Sequence, residues 1–145
     1  MSLDHNKAVV RRLFDELVNG YDLHVVDEII APDIVLHDPV FGTAGGIDMF
    51  KQLLGVFRTA FPEQHTTLDV LTAEGDLVTA LHTHTGRHLG PFMGMPPTGK
   101  DIHIEGLELY RVADGKIIEF WRHDDDAGLL RQLGAIPEPA TAPAD

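Results

Sequence analysis

The chain has 145 residues, 43% of them hydrophobic and 23% charged, which is the size and composition of one globular domain. Its formal net charge of −12 argues against a cationic face, so nucleic acid and anionic membrane are not expected as partners. The absence of cysteine excludes disulfides, thiol nucleophiles and thiolate metal sites, and no apolar run reaches the roughly 20 residues of a membrane span. We therefore expect a cytoplasmic protein, with nine histidines as candidates for chemistry near neutral pH.

Two amphipathic helices are predicted at the start of the chain. Apolar residues recur at helical spacing over 9–18, and Asn19 followed by Gly20 marks the end of that helix. The second helix is short: Asp22 can cap its start, and Pro32 marks its end.

A strand, a loop and a third helix follow. Residues 34–37 are rich in β-formers, and the Gly-rich stretch at 42–46 breaks regular structure. From Ile47 the apolar spacing is again helical, up to the stop at Pro62.

Residues 66–124 read as β structure. Alternating residues predict strands over 66–88 and 102–112, separated by a Gly/Pro-rich loop, and Asp114-Gly115 predicts a tight hairpin into the strand at 116–124. A short helix over 127–133 follows, with Asp125 or Asp126 expected to cap it and Asp126 favoured.

This order predicts an α+β domain over residues 1–136, in which helices pack on one face of a curved, mostly antiparallel sheet. The Pro/Ala-rich residues 137–145 are expected to form a loose tail. A sheet that curls around helices leaves a pocket at its open end, lined by alternate strand residues and by the helices.

Three motifs in the C-terminal half resemble those of one family. They are the loop GRHLGPFMGMPPTGK at 86–100, the hairpin DGKI at 114–117 with Glu119-Phe120-Trp121, and GLLRQLG at 128–134. Together they resemble the SnoaL-like polyketide cyclases. The resemblance implies the cone-shaped α+β barrel of the nuclear transport factor 2-like superfamily and a homodimer paired through the sheet. It also implies an aldol-type ring closure of a small aromatic polyketide without metal or organic cofactor.

The acid–base pair of the cyclases that the chain resembles falls on changed residues. That pair is a histidine before the hairpin and an aspartate after it, and the two positions hold Glu108 and Arg122. We expect these two residues to form a buried ion pair, in which Glu108 removes the proton and Arg122 stabilises the enolate. Three alternatives stay open: an isomerase or dehydratase that works by the same proton transfer, an inert salt bridge, or a non-catalytic protein that binds an apolar ring compound.

Period-two alternation extends this candidate site. If Glu108 points inward, so does Tyr110; if Arg122 does, so do Phe120 and Asp124, which makes Asp124 the second candidate for the base.

The histidines supply further candidates. His82, His84 and His88 share one strand face; His88 is expected to be a hydrogen-bonding group or general acid, and His84 a substrate contact. The three could instead ligate zinc or iron in a hydrolase or oxygenase, although the resembled family is metal-free and no metal is expected.

Two residues outside these strands complete the predicted site. His37, at the end of the first strand, and Phe92, in a loop that would close over the ligand, are expected to contact substrate. The alternatives are a solvated strand end for His37 and a core plug for Phe92.

Overall fold

The computed structural model describes residues 2–139. Helices occupy its first third and its end, and strands the rest. The helices are α1 (Leu3–Arg12), which continues as a π-helical segment (Leu13–Asn19), α2 (Val26–Ile29), preceded by a 3₁₀ turn (Leu23–Val25), α3 (Ile47–Ala60) and α4 (Asp126–Gln132). The strands are β1 (Ile30–Asp38), β2 (Gly42–Gly45), β3 (His65–Glu74), β4 (Leu77–Arg87), β5 (Asp101–Ala113) and β6 (Lys116–Asp124).

The six strands form one mixed sheet in the order β2-β1-β6-β5-β4-β3. Among these strands the β1–β6 pair is parallel, and every other neighbouring pair is antiparallel. The hairpin between β5 and β6 turns at Asp114 and Gly115, both with positive φ, as a two-residue turn between twisted strands requires. The predicted α+β class and mostly antiparallel sheet are confirmed.

The main core lies between the helices and one face of the sheet. The apolar stripe of α1 and its π-helical continuation buries Val10 and Leu17 completely, and α3 contributes Phe50. Opposite them, Val78 and Tyr110 point inward from the sheet. Among residues 2–139, no helix is long and apolar enough to cross a membrane.

The first strand is longer than predicted and begins before Pro32. The short second helix, expected to continue up to Pro32, ends at Ile29, and β1 starts at Ile30. The pairing of β1 with β6 shifts register between Ile30 and Val35, so Pro32 lies in an irregular stretch of the strand. Because no regular pairing requires a backbone N–H at that position, the proline is tolerated.

The segment at 42–46, predicted as a loop, contains the edge strand β2. The side chain of Asp38 accepts hydrogen bonds from the backbone amides of Val40 and Phe41, at 2.8 and 3.1 Å. Such a side-chain turn reverses the chain sharply, which brings β2 back alongside β1.

A second, smaller core lies under α4 and contains Phe61, Phe92 and Leu129. Asp125 caps α4 by accepting from the amide of Gly128 at 2.9 Å, so the expectation that Asp126 is the cap was wrong. The predicted tail over 137–145 has neither helix nor strand at 137–139, and residues 140–145 lie outside the described part of the chain.

Candidate functional site

A cavity of about 120 Å³ opens between the helices and the sheet. Its apolar wall comes mainly from the first helical segment and α3, through Phe14, Leu17, Phe50, Leu53 and Phe57. Its other wall is the inward face of β4, β5 and β6, where ionisable side chains are concentrated: His82, His84, Glu108, Arg122 and Asp124. An apolar cavity with a few converging polar groups is the usual form of a small-molecule site.

His82 lies between two carboxylates at the polar end of the cavity. Its Nε2 atom is 3.1 Å from Glu108 Oε1 and 3.2 Å from Asp124 Oδ1. Burial alone would lower the pKa of His82, but the hydrogen bonds to Asp124 and Glu108 outweigh it and raise the pKa to about 10. His82 is therefore an imidazolium at neutral pH, and its Nε2–H is shared by both carboxylates.

A glycine makes this cluster possible. His82 on β4, Gly106 on β5 and Asp124 on β6 stand in one row across three strands. A Cβ atom on Gly106 would lie 2.0 Å from Asp124 Oδ1 and 2.4 Å from His82 Nε2. Because Gly106, in the middle of the row, has no side chain, His82 and Asp124 can contact each other across β5.

Both oxygens of Glu108 are engaged. Oε1 contacts His82, and Oε2 accepts a hydrogen bond from the hydroxyl of Tyr110. Burial would raise the pKa of Glu108, but the hydrogen bond and charge of His82 reverse the effect and hold it below its usual value. Burial and the neighbouring Glu108 charge raise the pKa of the Tyr110 hydroxyl well above its usual value.

Asp124 differs from Glu108 in its protonation. Burial, followed by the negative charge of Glu108, raises the pKa of Asp124 to about 6, although the hydrogen bond from His82 and the charge of Arg122 oppose the change. Its Oδ2 atom lies 3.0 Å from Arg122 Nε. Asp124 is thus a cavity carboxylate that titrates close to neutral pH.

The predicted ion pair between Glu108 and Arg122 was wrong. The two residues are directly opposite each other on β5 and β6, as expected. Arg122, however, turns to three aspartates: Asp38 at 3.2 Å, Asp124 at 3.0 Å and Asp126 at 2.5 Å. Asp38, at the end of β1, and Asp126, at the start of α4, converge on the guanidinium, whose several donors suit such a set.

His84 lies two residues further along β4 and also lines the cavity, as predicted. Its Nδ1 atom is 2.7 Å from the hydroxyl of Thr66 on β3. Burial, with the positive charge of His82 as the next cause, lowers the pKa of His84 to about 4, so the ring is neutral at neutral pH.

Six of the nine residues predicted for the site line the cavity: Glu108, Arg122, Asp124, His84, Tyr110 and Phe120. Three predicted residues lie elsewhere. His88 is fully buried in the base of the loop between β4 and β5, where its Nδ1 accepts from the amide of Thr98 at 3.1 Å. It anchors that loop and does not border the cavity lining.

His37 and Phe92 are the other two that the structure places outside the cavity. His37 is paired with Glu119 at 2.7 Å and stacked on Trp121, because its position on β1 directs it away from the helices. Phe92 is 4% exposed and packs between Phe57 and Phe61, so it fills the second core instead of closing over a ligand.

His82 was considered in the sequence only as a possible metal ligand with His84 and His88. The structure does not bring those three together, since His88 lies in the loop base. Instead, ligand atoms of His82, Glu108 and Asp124 lie within 4.8 Å of one another, a spacing that could hold a cation. The same three residues are also joined directly, by the hydrogen bonds of His82 Nε2 to the two carboxylates. The one residue that could have pointed to His82 in the sequence is Gly106. It does so only once the register of β4 and β5, which aligns the two, is known.

Comparison with known proteins agrees with this architecture. The profile of the SnoaL-like polyketide cyclases matches residues 8–133. The chain belongs to the SnoaL-like polyketide cyclase family. It is 39% identical over 111 residues to nogalonic acid methyl ester cyclase of Streptomyces nogalater, which covers 75% of the chain and 83% of that enzyme. It is 31% identical over 131 residues to aklanonic acid methyl ester cyclase DnrD of Streptomyces peucetius, covering 87% and 88% of the two chains.

Solved structures give the same result for the fold. A provisionally assigned SnoaL-like polyketide cyclase of Jannaschia sp. CCS1 superposes with a TM-score of 0.86 at 28% identity, over 93% of this chain and 95% of that one. A nuclear transport factor 2-like protein of Burkholderia pseudomallei shares the fold, with a TM-score of 0.74 at 21% identity over 92% of this chain and 98% of that one. The family and fold inferred from the three C-terminal motifs are confirmed.

Proposed function

We propose that the cavity binds a polyketide ester and closes a ring in it by an intramolecular aldol condensation, with Asp124 as the base. The relatives named for nogalonic and aklanonic acid methyl esters support this class of substrate. The observation that carries the proposal is the Asp124 carboxylate, which borders an apolar cavity and has a pKa raised to about 6. A general base works best when its pKa is near the working pH.

Asp124 suits this role better than Glu108, the residue favoured by the sequence. Glu108 has both oxygens in hydrogen bonds and a lowered pKa, which makes it a weak base. We assign Glu108 to holding His82 in place and protonated. Arg122 fixes the second oxygen of Asp124, so it acts as a positioning residue and not as a base.

The reaction then needs only the substrate and these side chains. Asp124 takes a proton from the carbon next to a carbonyl, and the C–H electron pair moves into the enolate. The enolate carbon attacks a second carbonyl of the same molecule, forming the C–C bond. The resulting alkoxide recovers the proton from Asp124, so the product is an isomer of the substrate.

His82 is the group that we assign to stabilising the enolate. It carries a positive charge at the cavity, and its Nδ1–H is buried with no hydrogen-bond partner among the described residues. A fixed cationic donor next to the place where negative charge develops lowers the barrier without reorganising solvent.

The test is turnover of nogalonic acid methyl ester by the wild-type protein and by Asp124→Asn. We expect the substitution to lower kcat by about 100-fold or more while the ligand still binds, because the amide cannot accept the proton. The matched control is Asp33→Asn, at an exposed position of β1, and it should leave kcat unchanged.

Two results would overturn the proposal. Wild-type turnover by Asp124→Asn would remove Asp124 as the base. Recovery of unchanged nogalonic and aklanonic esters after long incubation with the wild-type protein would favour the binding protein considered from the sequence.

We further propose that a second copy pairs with the outer face of the sheet. There Leu107 and Val70 are 51% and 48% exposed, and Leu81 on β4 pairs with both. Further along β5, Leu109 pairs with Trp121 on β6. Apolar patches of this kind on a sheet face are typical of interfaces. Light scattering should give twice the chain mass for the wild type and the single mass for Leu107→Glu; a monomeric wild type would contradict the pairing.

We also propose a cytoplasmic location. The chain contains no cysteine, so it draws no stability from an oxidising compartment. Cell fractionation followed by immunodetection should recover the protein with cytoplasmic markers, and recovery with periplasmic or extracellular markers would contradict this.

A further inference from the structure

A chain of hydrogen bonds runs from Val18, in the π-helical segment, through Gln64 and Thr66 to His84. The donor and the acceptor of each bond can be deduced. The carbonyl of Val18 can only accept, so the group of Gln64 that contacts it must be the Nε2 amide, which donates. The other end of that side chain, Oε1, is therefore an acceptor. It lies 3.1 Å from the hydroxyl of Thr66, so Thr66 must donate to it.

The same logic places the proton on His84. The hydroxyl of Thr66 has one hydrogen, and that hydrogen is directed to Gln64. Toward His84 Nδ1, at 2.7 Å, the hydroxyl can therefore only accept, so Nδ1 carries the proton. Because the neutral imidazole has one N–H, the other nitrogen, Nε2, holds an unshared electron pair.

This Nε2 atom is buried and is left without any partner by the residues that the structure describes. His84 lines the cavity that also contains Asp124. A buried acceptor without a donor is costly unless something in the cavity supplies one. No cation of the cavity wall does so: Arg122 directs its donors to three aspartates, and neither Arg58 nor either ring nitrogen of His82 forms a hydrogen bond with His84 Nε2.

We propose that His84 Nε2 accepts a hydrogen bond from an enol or phenol hydroxyl of the substrate, and that this contact selects hydroxylated ring compounds over their ethers. The inference rests on the proposed function in placing the substrate in this cavity. It adds the chemical group that the substrate must present, and it makes Thr66 and Gln64 positioning residues that set the tautomer.

The selectivity can be measured with β-naphthol and its methyl ether, which differ only in the hydroxyl hydrogen and a methyl group. Calorimetry should show about tenfold tighter binding of the naphthol by the wild type, since a ligand that cannot donate leaves Nε2 unpaired. His84→Phe keeps an aromatic ring but no acceptor, and it should lose this preference. A preference that survives in His84→Phe would assign the acceptor to another group and overturn the proposal, as would equal wild-type affinities.

Thr66→Val tests the positioning chain. The valine removes the acceptor of Nδ1–H, so the proton is free to move to Nε2, and the preference for the naphthol should fall or reverse. Thr67→Val is the matched control on the exposed side of β3, and it should bind like the wild type.

Proton–nitrogen correlation spectra of the histidine rings read the tautomer without any ligand. We expect a protonated Nδ1 and an unprotonated Nε2 in the wild type, a different state in Thr66→Val, and a change at Nε2 when β-naphthol is added. A proton on Nε2 in the wild type, or no response to naphthol, would overturn the proposal. Since neither measurement needs turnover, a failure at His84 leaves the Asp124 result standing, and a protein without cyclase activity can still show the preference.

Discussion

Replacing Glu108 with glutamine separates the two carboxylates as candidates for the base. The substitution removes a negative charge and keeps the shape. The new amide can still accept from Tyr110 and donate to Asp124. It no longer accepts from His82, which keeps its hydrogen bond to Asp124, so the cluster should remain folded. If Glu108 were the base, turnover would fall as far as in Asp124→Asn.

The magnitude follows from the distance between the two groups. Their ligand atoms lie within 4.8 Å. At that separation and an effective dielectric constant of about 20, two unit charges interact by about 3 kcal/mol, or about two pKa units. Burial, the larger cause of the raised Asp124 pKa, is unchanged by the substitution. We therefore expect Glu108→Gln to lower the Asp124 pKa by about two units, the amount that the charge contributes.

The assay is the pH dependence of kcat/KM with nogalonic acid methyl ester. In Glu108→Gln the acid limb should move down by about two pH units while kcat stays within about tenfold of the wild type. Glu105→Gln, on the exposed side of the same strand, should leave the limb in place. A kcat as low as that of Asp124→Asn would refute the assignment of the base, and an unmoved limb would refute the electrostatic contact.

Two further substitutions test how the cluster is held. Gly106→Ala places a Cβ 2.0 Å from Asp124 Oδ1, so it should displace the base and lower kcat by about 100-fold. The control is Gly45→Ala, whose Cβ makes only an ordinary contact at 3.5 Å and should leave kcat unchanged. Full activity in Gly106→Ala would contradict the row geometry. Arg122→Met leaves the fully buried Asp38 carboxylate without its counter-charge and should cost about 3 kcal/mol of unfolding free energy in urea. Arg111→Met breaks pairs with Asp76 and Glu119 that remain in contact with solvent, so it should cost little. An equally small loss in Arg122→Met would contradict a buried network.

Local patterns predicted the cavity wall well because strand alternation depends on neighbouring residues alone. Glu108 and Tyr110 on β5, and Arg122 and Asp124 on β6, all face the cavity as their even spacing indicated. The same applies to the hairpin at Asp114, where the turn residues themselves determine the geometry.

Contacts between distant segments were not predictable in this way. The partner of Arg122 depends on Asp38, 84 positions earlier, and on the parallel pairing of β1 with β6. The importance of His82 depends on a glycine 24 positions later in the chain, aligned with it only by the register of β4 and β5. Phe92 was misassigned because its loop folds back onto α3, which sequence spacing does not show.

The pH profile of kcat/KM for the wild-type protein, from about pH 4 to about pH 11, tests the central claim most directly. Asp124 must be ionised to accept the proton, so the rate should rise with pH through its pKa of about 6. His82 must be protonated to stabilise the enolate, so the rate should fall as pH passes its pKa of about 10. A rate that is already at its plateau well below pH 6, where Asp124 would be protonated, would contradict Asp124 as the base.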